Sequence, residues 1–237
     1  MGWRHLLFAS WPFEPAVVAA HLPPSLEVDT YDGRAWLSVV PYLNVDVRPR
    51  SIPAGGFALP ELNLRTYVTC DGEPGVYFFS LDAQGILGVL GARLFHHLPY
   101  YYARTELRAV DGEIAVTSER RHPGERPVQF AATYGPTGES FTAAPDSRAA
   151  FLTERYRYYT EDPDGRLRYA DISHDRWTLS EADVSIAKNT LFRANGFAEP
   201  DGDLYAGSDS APKSNSAPVC YYSPGTDVTT TRCQYWE

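Results

Sequence analysis

The sequence predicts a β-rich, mixed α+β fold, in which a barrel or sandwich of strands carries a few helices packed outside. Short alternating apolar segments recur along the 237 residues, whereas few stretches have a helical period. Turn pairs such as Asp32-Gly33 and Asp111-Gly112 separate these segments about every ten residues, as in all-β sandwiches and barrels. No internal repeat and no linker interrupts the chain, so we expect one domain over residues 1–237.

The first half of the chain is predicted to hold two short helices and most of the strands. One helix begins at Pro15, whose fixed φ suits a first helical turn, and ends before Leu22-Pro23-Pro24. A second helix is predicted over 86–96, and the proline-containing stretch 46–60 is predicted to be a surface loop. No strand is assigned to residues 1–14. The predicted strands are 26–31, 34–45, 61–70, 75–82, 100–110, 113–122 and 127–134.

The second half is predicted to contain two helices. Ser147 opens a helix that continues through Tyr156. A longer helix is predicted over 180–195, because Ser180 is a good N-cap and Asn195-Gly196 is a typical helix end. The other predicted segments are a strand at 166–174, a loop at 199–217 and extended chain at 218–235.

Composition and charge exclude several classes of protein. The formal net charge of −9 argues against a nucleic-acid partner, which requires clustered cations. No stretch approaches the ~20 apolar residues of a membrane helix, and residues 1–15 lack a signal peptide's apolar core, so we expect a cytoplasmic protein with no membrane partner. Cys70, Cys220 and Cys233 form no Cys-x-x-Cys pair, and we expect three reduced thiols.

No motif for a metal or a cofactor is present. His96 and His97 are adjacent, which does not suit one metal bound from a regular element. Gly85, Gly88 and Gly91 follow a predicted strand, but their spacing departs from the G-x-G-x-x-G of dinucleotide sites. Close packing of a helix on a sheet explains these glycines better. The sequence therefore predicts neither a bound metal nor a cofactor.

The segment 61–70 has the most informative pattern. As a strand it would have one apolar face, and an opposite face that carries Glu61, Asn63, Arg65, Tyr67 and Thr69. This polar face either meets water or lines a polar cavity inside a barrel, and the residues alone leave both alternatives open. Since an unpaired buried charge is costly, a cavity predicts that Glu61 and Arg65 are both mostly buried and share one hydrogen-bonded network.

Several motifs occur in an order that identifies a family resemblance. They are Trp11-Pro12, Leu22-Pro23-Pro24, Glu27-Val28-Asp29, Asp32-Gly33-Arg34-Ala35-Trp36, Glu61 to Val68, Gly75 to Ala83, Ala92-Arg93, Leu98-Pro99-Tyr100-Tyr101, Leu152 to Tyr156 and Tyr222-Ser223-Pro224-Gly225. Together, over about residues 3–228, they resemble the YqjF-like family of uncharacterised bacterial and archaeal proteins. That family is similar to the acetoacetate-decarboxylase-like superfamily. The resemblance implies a β-rich, barrel-like fold around a buried central cavity, and so favours the cavity-facing alternative for 61–70.

The resemblance also argues against one mechanism. In acetoacetate decarboxylases a lysine after a proline forms a Schiff base, and a neighbouring lysine helps to activate it. The comparable stretch here reads Pro99-Tyr100-Tyr101-Tyr102, and phenols form no imine. The only lysines of the chain are Lys188, on a predicted helix, and Lys213, in a predicted loop. Neither is a plausible replacement, so decarboxylation through an imine is not expected.

Two classes of function remain. The first is a protein that binds a small anionic or carbonyl-bearing molecule, with Arg65 as its charge partner and Asn63 and Tyr67 fixing its orientation. As an enzyme, it would be a lyase, hydratase or isomerase with Glu61 as base and Tyr100 or Tyr101 as acid. The second is a non-catalytic ligand sensor or a homo-oligomeric scaffold. An enzyme should hold a carboxylate of perturbed pKa in a concave site, whereas a scaffold should seal these groups in salt bridges.

Overall fold

The computed structural model describes residues 1–47, 56–85, 93, 96–200 and 218–236. Three short helices lie within this part of the chain: α1 (Pro15–Ala19), α2 (Arg148–Thr153) and α3 (Leu191–Ala194). The strands are β1 (Gly2–Phe13), β2 (Glu27–Val28), β3 (Ala35–Val47), β4 (Phe57–Cys70), β5 (Glu73–Ala83), β6 (Tyr100–Val110), β7 (Glu113–Arg120), β8 (Gln129–Phe141), β9 (Arg157–Glu161), β10 (Leu167–Ser173), β11 (Leu179–Asn189), β12 (Val219–Asp227), β13 (Thr229–Thr230) and β14 (Gln234–Tyr235).

Nine of these strands close into a ring. The order is β5-β6-β7-β8-β11-β12-β1-β3-β4, and pairing of β4 with β5 completes the circle. Neighbours in the ring are antiparallel except β5 and β6, which run parallel. The strand β9 adds to β5 outside the ring, and β10 pairs with β9 and in turn with β13 and β14. The ring therefore carries a second layer on one side.

The ring interior is filled by apolar side chains. One face of each ring strand contributes to a single core cluster, which includes Leu7, Leu37, Leu64, Val116 and Ile186. Along β7 and β11, buried and more exposed positions alternate, as expected for strands whose outer face meets water. The interior of the ring is thus a packed core.

A second core cluster lies outside the ring, beneath the second layer. The outward faces of β1, β3, β4 and β5 pack here against α2, β9 and β10. In β1, Leu6 and Phe8 belong to this outer cluster, while Leu7 and Ala9 belong to the inner one. These ring strands are consequently buried on both faces, and functional side chains on their outward faces are shielded by the second layer.

Most sequence predictions of the elements agree with the structure, with differences at their ends. The first helix and the strands predicted at 34–45, 75–82, 100–110, 113–122 and 166–174 are confirmed. The strand β4 begins at Phe57, within the predicted loop, and β8 extends beyond 134 to Phe141. Ser147 caps α2 through its side chain, as predicted, but this helix ends at Thr153. Most of the predicted helix 86–96 and loop 199–217 lies outside the described residues.

Two predictions along the chain were wrong. The helix predicted over 180–195 is instead strand β11 followed by α3, because Ala182, Val184 and Ile186 alternate towards the ring core with a period of two. No strand was assigned to residues 1–14, yet β1 spans Gly2–Phe13. A register shift between Arg4 and Ala9 interrupts its alternation, which explains why the pattern was missed. Among the described residues, no helix is long and apolar enough to cross a membrane.

Candidate functional site

A cavity of about 270 Å³ lies between the outward face of the ring and the second layer. Strands β1, β3, β4, β5 and β6 supply one wall, and β9, β10 and the chain around Trp177 supply the other. Glu61, Asn63 and Arg65 all line it from β4, so this face of the strand lines a cavity. The expected cavity is therefore present, and it lies on the outward side of the ring, because apolar side chains fill the ring interior.

Glu61 is the buried carboxylate of this cavity. Its side chain is only 3% exposed, and three uncharged groups donate hydrogen bonds to it. The Tyr42 hydroxyl donates to Oε1, whereas Asn44 Nδ2 (3.2 Å) and the Tyr100 hydroxyl (2.9 Å) donate to Oε2. Tyr42 reaches Glu61 because the two residues are directly paired between β3 and β4. Among the described residues, the donors to this carboxyl group are therefore all uncharged.

This environment places the ionisation of Glu61 near neutrality. Burial raises the pKa of Glu61 from its ordinary 4.5 to about 7, although the hydrogen bonds from Tyr42, Tyr100 and Asn44 oppose the rise. Burial also raises the pKa values of Tyr42 and Tyr100 well above 10, and the neighbouring Glu61 carboxylate adds to both shifts. Both phenols therefore remain protonated donors at neutral pH, beside a carboxyl group that can hold or release a proton.

Arg65 lies four residues beyond Glu61 on the same face of β4 and is half-buried. Its Nη2 donates to the carbonyl oxygen of Leu152 at 3.0 Å, and its guanidinium carbon lies 5.4 Å from the ring centre of Phe8. No carboxylate pairs with Arg65 within the described part of the chain. The predicted network shared by Glu61 and Arg65 is therefore wrong: Glu61 is buried as expected, but the two side chains have separate partners.

The remaining predicted ligand residues differ in position. Asn63 lines the cavity and is 2% exposed. Tyr67 is fully buried in the outer core and does not line the cavity. Its hydroxyl lies 2.7 Å from Ser38 Oγ and donates to the Leu152 carbonyl at 2.8 Å, so its hydrogen-bonding capacity is already used. The structure thus places Asn63 with Glu61 and Arg65, and separates Tyr67 from them.

Tyr100 and Tyr101, the two candidates for the acid, face opposite sides of β6. Tyr100 lines the cavity and bonds to Glu61. Tyr101 is paired with Asp82, whose side chain points into the ring, and the Arg120 guanidinium lies 3.9 Å from the Tyr101 ring centre. Successive side chains of a strand point to opposite faces, so only one of two adjacent tyrosines can reach Glu61. The structure therefore brings Tyr100, and not Tyr101, to the cavity.

Several cavity residues were missed by sequence reasoning. Tyr42 and Asn44 alternate on the predicted strand 34–45, so the sequence indicates that they share a face. It does not indicate that Glu61 on β4 lies opposite Tyr42. Trp3 stacks on Trp177 with ring centres 6.2 Å apart, and His174 lies 4.5 Å from Trp177. Trp3 is more than 170 residues away from His174 and Trp177 in the sequence, and no local signal indicated that they would meet.

The cavity lining holds no lysine within the described residues. Lys188 is exposed on β11, which contributes nothing to this cavity, and Lys213 lies outside the described residues. The described residues also contain no group of three or more His, Cys, Asp or Glu side chains placed to hold a metal ion. The described site thus combines an acid of raised pKa, phenolic donors, an amide and a guanidinium.

Two sequence comparisons match most of this chain. The model of the DUF2071 family, described as "Uncharacterized conserved protein", matches residues 1–227. The chain is also 45% identical over 203 residues to "Uncharacterized protein YqjF" of Bacillus subtilis (strain 168), a match that covers 85% of this chain and 83% of the relative. The resemblance carried by the sequence motifs is thereby confirmed.

Three solved structures have a similar fold at low sequence identity. Acetoacetate decarboxylase from Legionella pneumophila superposes with a TM-score of 0.61 at 14% identity, covering 100% of this chain and 88% of the other. An acetoacetate decarboxylase-like enzyme from Sphingomonas wittichii RW1 has a TM-score of 0.58 at 16% identity, covering 100% and 92%. The enduracididine biosynthesis enzyme MppR in complex with pyruvate has a TM-score of 0.60 at 14% identity, covering 99% and 90%. The predicted acetoacetate-decarboxylase-like fold is confirmed.

Proposed function

The chain belongs to the DUF2071 family, and we propose that it binds a small organic acid in the cavity and that Glu61 transfers a proton of that acid. The observation that carries the proposal is Glu61 itself. This carboxyl group lies at the cavity wall, is held by uncharged donors and has a pKa raised to about 7 by burial. A general acid–base group works best when its pKa lies near the working pH.

The charge of the cavity supports an anionic ligand. Among the described residues two arginines line the cavity, and Arg155 is already paired with Asp29 at 2.7 Å. Arg65 has no carboxylate partner in the part of the chain that the structure describes, and its positive charge is half-buried between aromatic rings. A carboxylate bound to Arg65 would therefore neutralise the one cavity guanidinium that the described residues leave without an anion.

The positions of Glu61 and Tyr100 support proton transfer without an imine. Above pH 7 the Glu61 carboxylate can accept a proton from a carbon next to a carbonyl group. The Tyr100 hydroxyl, now bonded to Glu61, can donate to the oxygen on which negative charge develops. Such chemistry suits a lyase, hydratase or isomerase. The fold neighbour bound to pyruvate supports keto acids as the first molecules to test.

Calorimetry with pyruvate, acetoacetate and lactate tests the binding step. Arg65→Met keeps much of the apolar stem and removes the guanidinium, so affinity should fall by about ten- to a hundredfold, or roughly 1.5–3 kcal/mol. Because Glu61 keeps its own partners, the variant should remain folded. Arg108→Met, at a 78% exposed side chain on β6, is the matched control and should bind as the wild type does. No binding of any acid by the wild type would favour the scaffold alternative.

Deuterium exchange tests the proton transfer. Proton NMR in D₂O should show that the protein accelerates loss of the methyl proton signal of pyruvate. Glu61→Gln should abolish the acceleration, whereas Glu113→Gln, at an exposed position of β7, should leave it unchanged. Binding of the acids by the wild type without any exchange would contradict catalysis and support a non-catalytic ligand sensor.

A further inference from the structure

Half of the buried polar atoms that lack a hydrogen-bond partner in the described part of the chain belong to residues that line the cavity. Within the described residues, six buried side-chain nitrogen or oxygen atoms have no hydrogen-bond partner, and three of them belong to cavity residues. These three are Trp3 Nε1, Asn63 Oδ1 and Arg65 Nε. An unpaired buried polar atom costs free energy, so native proteins rarely leave several in one place without a use for them.

Two of the three atoms are hydrogen-bond donors, and the third is an acceptor. Arg65 Nε and Trp3 Nε1 are donors and require acceptor atoms, whereas Asn63 Oδ1 is an acceptor and requires a donor. Asn63 and Arg65 are two residues apart on one face of β4, so their Cα atoms are about 7 Å apart along the strand. A ligand that satisfies both must carry an acceptor group and an N–H or O–H donor within a few atoms of each other.

We infer that the cavity selects small hydroxy acids, whose hydroxyl group donates to Asn63 Oδ1 while the carboxylate accepts from Arg65. This inference rests on the proposed function and narrows its substrate class. A keto acid of the same carbon skeleton offers only acceptors and leaves Asn63 Oδ1 unpaired. Sites built to bond a ligand hydroxyl reject the analogue that lacks it, because the buried group of the protein then stays unpaired.

Lactate and pyruvate test the inference, because they share one carbon skeleton and differ in the hydroxyl group. Calorimetry on the full chain should show that one enantiomer of lactate binds at least about tenfold more tightly than pyruvate. Asn63→Leu removes the acceptor and should reduce this preference to within about twofold. Trp3→Phe removes a donor that serves both acids, so it should weaken both by a similar factor and keep the preference.

A second variant at Asn63 keeps the test valid if Asn63→Leu does not fold. If Asn63→Leu does not fold, Asn63→Asp retains an acceptor oxygen and should retain the preference for lactate, although the added charge weakens both acids. Equal binding of lactate and pyruvate by the wild type would mean that solvent satisfies Asn63, and it would overturn this inference while the proposed function stands. Binding of neither acid would overturn both. An unchanged preference in folded Asn63→Leu would also contradict the role of Asn63.

Discussion

Two carboxylates are buried on adjacent strands of the ring, and they face opposite sides of it. Glu61 on β4 points outward into the cavity, while Asp82 on β5 points inward to the ring core. Their exposures are 3% and 0%. Glu61 is bound by two phenols and an amide, whereas Asp82 accepts two hydrogen bonds from Arg120, at 2.6 Å from Nε and 2.7 Å from Nη2.

The partner, rather than the depth of burial, distinguishes these two acids. The Arg120 side chain is itself only 4% exposed, and its guanidinium holds Asp82 in a buried ion pair. Burial raises the pKa values of both carboxyl groups. At Asp82 the hydrogen bonds and the charge of Arg120 oppose the rise, whereas at Glu61 the opposing donors are uncharged and the pKa rises to about 7. Asp82, which has a charged partner, is therefore part of a structural ion pair. Glu61, which has uncharged donors, can exchange a proton near neutral pH.

The largest effect is expected from removal of the charged partner. Arg120→Met leaves the Asp82 carboxylate buried and unpaired inside the ring, which should lower the free energy of unfolding by about 3–5 kcal/mol. Urea denaturation at pH 7 measures this loss. Arg121→Met, at the neighbouring residue, removes an ion pair with Glu119 whose side chains are 57% and 41% exposed, and should cost less than about 1 kcal/mol. Equal losses in the two variants would contradict a structural ion pair.

The double variant Asp82→Leu with Arg120→Met separates the pair from its two charges. Well-packed apolar residues often replace a buried ion pair at little cost, so the double variant should recover a large part of the stability lost by Arg120→Met alone. A double variant less stable than Arg120→Met would show that Asp82 has a favourable role independent of Arg120. The measurement is the same urea denaturation.

A smaller, pH-dependent effect is expected at Glu61. Its folded-state pKa is raised, so the carboxyl group favours the folded state at low pH, and this advantage is lost as pH rises from about 4.5 to about 7. The shift corresponds to about 3 kcal/mol. Relative to Glu61→Gln, the wild type should therefore lose about 3 kcal/mol of unfolding free energy between pH 4.5 and pH 8. Denaturation curves of both proteins across this range measure the difference.

The control for this prediction is Glu113→Gln. Its side chain lies at an exposed position of β7, so the difference between wild type and this variant should change little with pH. A difference between wild type and Glu61→Gln that stays constant from pH 4.5 to pH 8 would show that Glu61 titrates at its ordinary pKa, and would contradict the contrast with Asp82.

The two adjacent tyrosines should have a still smaller effect, and only one of them should act. The Tyr100 hydroxyl lowers the pKa of Glu61, so Tyr100→Phe should raise that pKa by an amount equivalent to about 1 kcal/mol. Tyr101→Phe, on the inward face, should leave the pKa of Glu61 unchanged. Carbon-13 NMR titration of labelled carboxyl groups measures both. An equal shift in the two variants would contradict their separation onto opposite faces.

No covalent effect is expected at the outer surface of the ring. Lys188 is exposed on β11, away from both acids and from the cavity. Incubation with acetoacetate and borohydride should therefore add no mass to Lys188, and we expect the same of Lys213. Intact-protein mass spectrometry measures the result. A stoichiometric adduct on either lysine would restore the decarboxylase mechanism.

Much of the fold could be predicted from local patterns, and its exceptions have physical causes. Turn pairs and the alternation of apolar and polar residues located strands such as β6 and β7, because burial of every second residue leaves this pattern in the sequence. The strand β1 escaped prediction because it is buried on both faces and changes register near His5, where φ is positive. In β11, end signals typical of a helix outweighed the alternation of its side chains. In both β1 and β11, pairing with strands that are remote in sequence determined the strand conformation.

The sequence by itself determined which side chains of β4 share a face, since Glu61, Asn63 and Arg65 alternate along an extended chain. It also determined that Tyr100 and Tyr101 must point to opposite sides once they lie in a strand. Only the tertiary structure decided which face meets the cavity and which partners each acid receives. Tyr42 and Tyr100 reach Glu61, and Arg120 reaches Asp82, from positions 19 to 39 residues away in the sequence, and local periodicity carries no information on strand register across such distances.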